Sequence, residues 1–135
     1  MFRPRRKFDR IRKMDPSFSI GTDIVEVSRV KKLTRNKRFL ERIFTPSEIA
    51  YCRTKKNSAQ HFAVRFAAKE AVWKALSDLG LAGIGHREVG VHRTPSGKPV
   101  VSLSGRLKPF EKRITLSLSH TSRTAVAVAL FRKKS

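Results

Sequence analysis

The stretch HFAVRFAAKEAVWKAL, residues 61–76, is the most apolar helix candidate in the chain. At about 100° per residue, its aromatic and leucine side chains fall on one side of the helix and its alanines on another. Little of the circumference is left for water, which indicates a mostly buried helix. The alanine side, formed by Ala63, Ala67, Ala71 and Ala75, would let another backbone segment come close.

Four charged residues interrupt this apolar helix: Arg65, Lys69, Glu70 and Lys74. Glu70 and Lys74 are four positions apart and could form an ordinary ion pair, which stabilises an exposed helix by only about 0.2–0.5 kcal/mol. Alternatively, Glu70 is a carboxylate held at a crevice, where a cation must balance its charge. Lys74 or Mg²⁺ could be that cation, since Mg²⁺ binds one or two carboxylates and completes its shell with water and phosphate oxygens.

Asp23 is the natural second carboxylate for such a site. It interrupts SIGTDIVEV, residues 19–27, whose β-branched side chains predict a strand, and aspartate is depleted inside strands. Arg65 could reach the same end of the crevice as Glu70 and bind a phosphate. The SHT motif at residues 119–121 offers hydroxyls, an imidazole and turn amides, although it suits an ordinary turn equally well.

The other segments are typical of helices followed by strands. A broken helical stripe covers residues 28–44, and Thr45-Pro46-Ser47-Glu48 has the cap, proline and capping-box signals of a helix that should run to about Lys55. After the main helix, two pairs of short strand patterns flank the turn signals Pro95-Ser96-Gly97 and HTSR. The order of strand, helices and strands predicts an α+β fold with a small antiparallel sheet packed with helices.

The charge is extreme for a chain of 135 residues, with 31 Lys and Arg against 10 Asp and Glu and a net charge of +21. Such a surface attracts nucleic acid, anionic lipid, phosphorylated cofactors or acidic proteins. We expect a basic, flexible N-terminal arm over residues 1–17, a single domain over residues 18–132 and a tail over residues 133–135. The arm has no apolar core of a secretory signal, and Met14 is an alternative start.

The single cysteine, Cys52, cannot form an internal disulfide, which fits a reducing cytoplasm. No apolar run approaches the roughly 20 residues of a membrane span. We therefore expect a cytoplasmic protein with no membrane partner.

Six stretches occur in one order over residues 19–131: GTDIVEVSRV, RFLERIFTPSE, RFAAKEAVWKAL, GIG, SGKP and LSLSHTSRTAVA. The pairing of G-x-D with F-A-A-K-E-A-x-x-K-A is specific, and the later S-H-T supports it. With these motifs the chain resembles the holo-[acyl-carrier-protein] synthases, the small bacterial class of 4′-phosphopantetheinyl transferases. The basic arm and the high charge depart from that family's pattern but do not affect the motif residues.

The resemblance implies a Mg²⁺-dependent enzyme that transfers 4′-phosphopantetheine from coenzyme A to a serine of apo acyl carrier protein and releases adenosine 3′,5′-bisphosphate. By similarity, Asp23 and Glu70 hold the metal and, with Lys74, are the catalytic residues. Glu70, directly or through water, is a candidate base for the serine proton, and Asp23 acting through water is an equal alternative.

The resemblance also implies the substrate contacts and the assembly. Lys74 and Arg65 would contact phosphates of coenzyme A. The adenosine and its 3′-phosphate would be surrounded by Ser96, Gly97, Lys98, Pro99, His120 and Thr121. Members of the family form homotrimers with coenzyme A bound between neighbouring subunits.

A basic stripe would receive the acidic carrier protein. Arg29, Arg35 and Arg38, together with Lys32, recur at spacings of three, which on one helix makes a one-sided stripe beginning just after Asp23. The simpler interpretation is a solvated basic face, which is common in so basic a chain.

Two other classes of function compete with this reading. The charge would suit a basic RNA-binding or ribosome-associated protein, but the aromatic residues lie on apolar stripes and are not interleaved with basic residues as stacking surfaces require. Nucleic-acid binding is therefore expected only as a side property of the arm. A pure interaction protein without catalysis is disfavoured by the presence of Asp23, Glu70 and Lys74.

Overall fold

The computed structural model describes residues 17–134, so most of the predicted basic arm, residues 1–16, lies outside the described residues. The strands are β1 (Phe18–Glu26), β2 (Val89–Arg93), β3 (Pro99–Leu103), β4 (Ile114–His120) and β5 (Thr124–Arg132). The helices are α1 (Val27–Leu33), α2 (Lys37–Ile43), α3 (Pro46–Arg53) and α4 (Ser58–Ala75). Short 3₁₀ segments span Ser77–Leu79, His86–Glu88 and Gly105–Arg113.

The strands form two antiparallel sheets, which confirms the predicted α+β fold. A three-stranded sheet has the order β1-β5-β4, and β2 and β3 form a separate two-stranded sheet. Both predicted hairpins are present, one joining β2 to β3 and the other joining β4 to β5. The first strand pairs with the last, with Asp23 opposite Ala127.

The capping signal before α3 is also confirmed. The Thr45 hydroxyl accepts a hydrogen bond from the Glu48 amide at 3.3 Å, and Glu48 Oε1 accepts one from the Thr45 amide at 2.8 Å. The broken stripe upstream forms two helices, because the chain turns over residues 34–36 and Asn36 caps α2 by accepting from the Phe39 amide.

Helix α4 is the centre of the core, as its apolar pattern predicts. Ala67, Ala71 and Ala75 are fully buried and pack with the inner face of the three-stranded sheet. The alanine side allows the expected close approach, which occurs at Gly21 of β1. A Cβ added to Gly21 would overlap the Ala71 carbonyl oxygen and lie 2.7 Å from the Ala75 amide nitrogen. In contrast, Trp73 is 48% exposed, so the aromatic side of α4 is buried only in part.

The outer face of the three-stranded sheet is apolar and exposed. Four large side chains lie on it: Phe18, Ile20, Ile24 and Val128. Val128 belongs to this face because it pairs with Thr22, whose side chain points the same way as those of Ile20 and Ile24. We call these four residues the outer apolar face. No helix within residues 17–134 is long and apolar enough to cross a bilayer.

Replacement of Gly21 tests the contact between β1 and α4. We expect Gly21→Ala to lower the free energy of unfolding by at least about 1–3 kcal/mol, because backbone atoms would have to move to admit one methyl group. Denaturant unfolding measures the change. Gly85→Ala is the matched control, since its nearest side-chain atom would be at an ordinary 3.6 Å and its φ is −82°. Equal stability of Gly21→Ala and wild type would contradict the close packing.

Candidate active site

Asp23 lies on the face of β1 that packs against α4, two residues beyond Gly21. Lys74 of α4 reaches it, with Nζ 3.3 Å from Asp23 Oδ1 and donating to the Thr22 carbonyl oxygen at 2.9 Å. Within the described residues, Lys74 therefore pairs with Asp23, and the helical ion pair between Glu70 and Lys74 that spacing allows is not formed. The lysine links strand and helix at this point.

Glu70 lies one helical turn before Lys74 and has a different partner. His86 Nε2 is 2.6 Å from Glu70 Oε1. The His86 ring also lies parallel to Phe66, with ring centroids 5.7 Å apart and an interplanar angle of 6°. Sequence analysis did not identify His86. Its only sequence signal is its place directly after the GIG motif.

Asp23 meets α4 at Lys74, one helical turn from Glu70, so both carboxylates lie at the C-terminal half of this helix. No group of three or more His, Cys, Asp or Glu side chains suited to a metal is found within residues 17–134. Two carboxylates nevertheless fit Mg²⁺, which takes only one or two of them together with water and substrate phosphates. We call Asp23, Glu70 and Lys74 the carboxylate site. A cavity of about 300 Å³ adjoins it and is lined by Glu70, Trp73, Ile84 and His86.

A buried ion pair between Glu48 and Lys69 lies behind this cavity. Lys69 Nζ is 2.7 Å from Glu48 Oε1 and donates to the carbonyl oxygens of His86 and Val89 at 3.0 and 2.6 Å. Both side chains are under 5% exposed, and Glu48 Oε2 also accepts from the Val91 amide at 2.8 Å. Burial lowers the pKa of Lys69, while the Glu48 carboxylate opposes that shift. All three ammonium hydrogens thus have acceptors, which compensates for much of the lost hydration.

Arg65 lines a different cavity from Glu70. This second cavity, of about 500 Å³, is also lined by Tyr51, Arg87, His92 and Arg93. The Arg65 guanidinium lies 4.4 Å from the centre of the Tyr51 ring and donates to the His61 carbonyl oxygen. Its Nε atom is buried and has no hydrogen-bond partner among the described residues 17–134. Within one chain, therefore, the structure does not bring Arg65 to the same crevice as Glu70.

Further cations surround His61 beside this second cavity. The His61 and His120 rings are 6.4 Å apart. Burial lowers the pKa of His61, and the positive charges of Arg65, His120, Lys55 and Arg93 lower it further. We call His61, Arg65, Arg93 and His120 the basic cluster. Several cations held together with an unpartnered guanidinium nitrogen make a site for a multiply charged anion.

The predicted substrate residues of the two hairpin turns are placed near this cluster. Arg93 donates to the Gly97 carbonyl oxygen at 2.8 Å, which ties the exposed turn containing Ser96 and Lys98 to the cluster, and the half-buried Pro99 follows as the first residue of β3. Thr121 follows His120, but its hydroxyl accepts from the amides of Arg123 and Thr124 and so closes its own turn. The Thr121 hydroxyl therefore stabilises the turn between β4 and β5.

The predicted basic stripe is exposed but does not lie on a single helix. Arg29 and Lys32 belong to α1, Arg35 lies in the turn after it, and Arg38 belongs to α2. The one-helix geometry expected from the spacing of three is wrong, because α1 ends at Leu33.

Loss of the Lys69 charge should destabilise the fold strongly. We expect Lys69→Met to lower the free energy of unfolding by about 3–5 kcal/mol, because it leaves the Glu48 carboxylate buried without its cation. Lys37→Met is the matched control: Lys37 pairs with Glu41 at 3.9 Å on the surface, and such a pair contributes at most about 1 kcal/mol. Denaturant unfolding of both variants measures the difference, and equal losses would contradict the structural role of the buried pair.

Comparison with known proteins agrees with this arrangement. The family model of the 4′-phosphopantetheinyl transferase superfamily matches residues 19–129. The holo-[acyl-carrier-protein] synthase of Clostridium acetobutylicum is 39% identical over 117 residues, which cover 82% of this chain and 94% of that protein.

Solved structures of similar proteins share the fold. The holo-[acyl-carrier-protein] synthase of Neisseria meningitidis superposes with a TM-score of 0.74 and 31% identity, covering 85% of this chain and 98% of that one. The Helicobacter pylori synthase in complex with coenzyme A superposes with a TM-score of 0.67 and 34% identity, covering 82% and 96%. The chain therefore belongs to the holo-[acyl-carrier-protein] synthase family of 4′-phosphopantetheinyl transferases.

Proposed function

We propose that the chain transfers 4′-phosphopantetheine from coenzyme A to a serine of an acyl carrier protein in a Mg²⁺-dependent reaction. The observation that carries the proposal is the carboxylate site, where Lys74 joins Asp23 of β1 to the helix that bears Glu70. The serine oxygen forms a bond to phosphorus, and the bond from that phosphorus to adenosine 3′,5′-bisphosphate breaks. Relatives that carry the synthase name, one of them solved with coenzyme A, support this reaction.

Asp23 and Glu70 would hold the magnesium ion. When bound, such an ion stabilises the negative charge that develops on phosphate oxygens during phosphoryl transfer. Lys74 lies beside Asp23 and supplies a fixed positive charge to the same phosphates. Glu70 would accept the serine proton directly or through water, and Asp23 acting through water is the alternative. Both carboxylates are partly buried, so bulk water competes little for them.

The basic cluster would bind the adenosine end of coenzyme A. Arg65 brings its guanidinium to the wall of the second cavity, and His120 adds an imidazole to the cluster. The turn residues Ser96, Gly97, Lys98 and Pro99 would lie along the adenosine and its 3′-phosphate, and Thr121 would shape the neighbouring turn. The planar guanidinium of Arg65 matches phosphate geometry and suits this contact.

A complete site would require two subunits, because Glu70 of the carboxylate site and Arg65 and Arg93 of the basic cluster line different cavities of one chain. We propose a homotrimer in which coenzyme A lies between the carboxylate site of one subunit and the basic cluster of the next. The outer apolar face supports self-association, since Ile20 and Ile24 are 66% and 68% exposed on one face of the sheet.

The exposed basic residues Arg29, Arg35 and Arg38 would receive the acidic carrier protein. They follow β1 directly, so they begin within a few residues of Asp23. Rim charges of this kind mainly raise the encounter rate and specify the partner. We also propose that residues 18–132 act as one transferase domain in the cytoplasm, while residues 1–17 and 133–135 take no part in the chemistry.

Turnover by carboxylate variants tests the reaction. Purified protein is incubated with coenzyme A, Mg²⁺ and apo acyl carrier protein. Mass spectrometry then measures the increase in carrier mass caused by added phosphopantetheine. We expect Asp23→Ala and Glu70→Ala each to reduce turnover at least ~100-fold, the lower end for a positioned charge at a transferring phosphoryl group. Asp78→Ala, which removes an exposed carboxylate paired with Lys133, should stay near wild type. Absence of transfer by wild type would refute the proposal.

Carrier docking is tested by reversing charge at two positions. Arg29→Glu with Arg35→Glu should raise KM for the carrier protein at least about tenfold at low salt and flatten its salt dependence, because it removes electrostatic steering. Deletion of residues 1–13 is the control for total charge, since this segment carries seven basic residues and one acid, and it should leave KM within a few-fold. Equal effects of both changes would argue against a specific docking surface.

Titration of His61 reports on the adenosine site. The pKa of His61 is lower in the folded chain than in the unfolded chain. As the pH drops through about 6.5, the unfolded chain therefore binds a proton at His61 before the folded chain does, and the free energy of unfolding falls. Binding of adenosine 3′,5′-bisphosphate should raise the pKa of His61, because the ligand's charge offsets the surrounding cations. NMR of the ring protons measures the shift. Arg65→Gln should raise the same pKa without ligand, and an unchanged His61 titration on binding would place the anion elsewhere.

A further inference from the structure

His86 makes a directed contact with one oxygen of Glu70. The distance from Nε2 to Oε1 is 2.6 Å, which is a short hydrogen bond. An ionised carboxylate can only accept, so in that state of Glu70 the hydrogen bond is donated by Nε2. The contact uses Oε1, so His86 leaves the other oxygen, Oε2, unengaged.

The plane of the His86 ring is fixed by the same helix that bears Glu70. Phe66 lies one turn before Glu70 on α4 and stacks on the imidazole at an interplanar angle of 6°. The face of the ring therefore rests on Phe66 while its edge donates to Glu70. Two residues of α4 define where the ring lies and where its N–H points.

The backbone of His86 is also held by α4. The buried Lys69 donates to the carbonyl oxygens of His86, the first residue of the short 3₁₀ segment, and of Val89, the residue that follows it. Glu88 closes the same segment by accepting from the Gly85 amide at 2.6 Å. Because Lys69 is 1% exposed and bound to Glu48, this anchor is rigid. The imidazole is thus positioned from both its backbone and its ring.

We propose that His86 is a positioning residue for the metal ligand Glu70: its N–H fixes Oε1 and leaves Oε2 as the oxygen available to a metal ion. This inference rests on the proposed Mg²⁺ site. Hydrogen bonds to ligand groups set their orientation and basicity, and removing them typically reduces metal affinity about 10–100-fold. A histidine that served only to pack on Phe66 would need no carboxylate at the edge of its ring. The hydrogen bond to Glu70 therefore favours a role at the proposed metal site.

Two substitutions separate the hydrogen bond from the stacking. His86→Phe keeps an aromatic ring on Phe66 and removes the N–H donor. His86→Gln loses the ring and keeps an N–H that can reach Glu70. We expect His86→Phe to weaken Mn²⁺ binding about 10–100-fold, measured by EPR on the full chain with coenzyme A bound and no carrier protein, and His86→Gln to stay within a few-fold of wild type. The activation constant for Mg²⁺ in turnover should rise by the same factor in His86→Phe.

The outcomes distinguish this inference from the proposed function. Wild-type Mn²⁺ affinity in His86→Phe, or equal losses in His86→Phe and His86→Gln, would overturn the positioning role. Glu70→Gln is measured alongside. If Glu70→Gln weakens Mn²⁺ binding and His86→Phe does not, only the role of His86 fails, whereas normal binding in Glu70→Gln would refute the metal site itself. Thermal unfolding checks each fold, and His86→Met replaces His86→Phe as the variant without a donor if the phenylalanine is not accommodated.

Discussion

The buried ion pair between Glu48 and Lys69 is the interaction on which the rest of the structure depends. Glu48 accepts from the backbone at the start of α3 and from β2, while Lys69 of α4 holds the segment after GIG. The pair therefore joins two helices, a strand and the segment that carries His86. Its position also separates two cavities, since Glu48 lines the one with Arg65 and Lys69 lines the one with Glu70.

The separation of the two cavities by the Glu48–Lys69 ion pair explains how the candidate functional side chains are distributed. The carboxylates proposed to bind metal lie on α4 and on β1 beside Lys74, and the cations proposed to bind phosphate lie next to α3 and the hairpin turns. In our proposal, a single chain therefore holds two separate halves of a site. Association through the outer apolar face would let the halves of neighbouring subunits meet, which also removes exposed isoleucine from water.

Local patterns in the sequence predicted the elements well, because capping, alanine periodicity and strand alternation act over a few residues. One example is the capping box formed by Thr45 and Glu48. Another is the alanine side of α4, which lets Gly21 approach the helix backbone. Partners distant in sequence were missed. Spacing favoured Glu70 as the partner of Lys74, but the fold brings Asp23 to that lysine. Nothing local indicates that Lys69 pairs with Glu48, 21 positions earlier, or that His86 meets Glu70.

Complementation between two impaired variants tests most directly whether the site is shared between subunits. Glu70→Gln alters the proposed metal ligand and Arg65→Gln removes the proposed phosphate contact, so each variant assembled alone should be nearly inactive. After the two chains are unfolded and refolded together in equal amounts, half of the subunits supply an intact Glu70 and half an intact Arg65. Random assembly around a head-to-tail ring then gives about a quarter of the sites two intact halves, and about a quarter of wild-type turnover. A mixture no more active than the average of its parents would contradict the shared site.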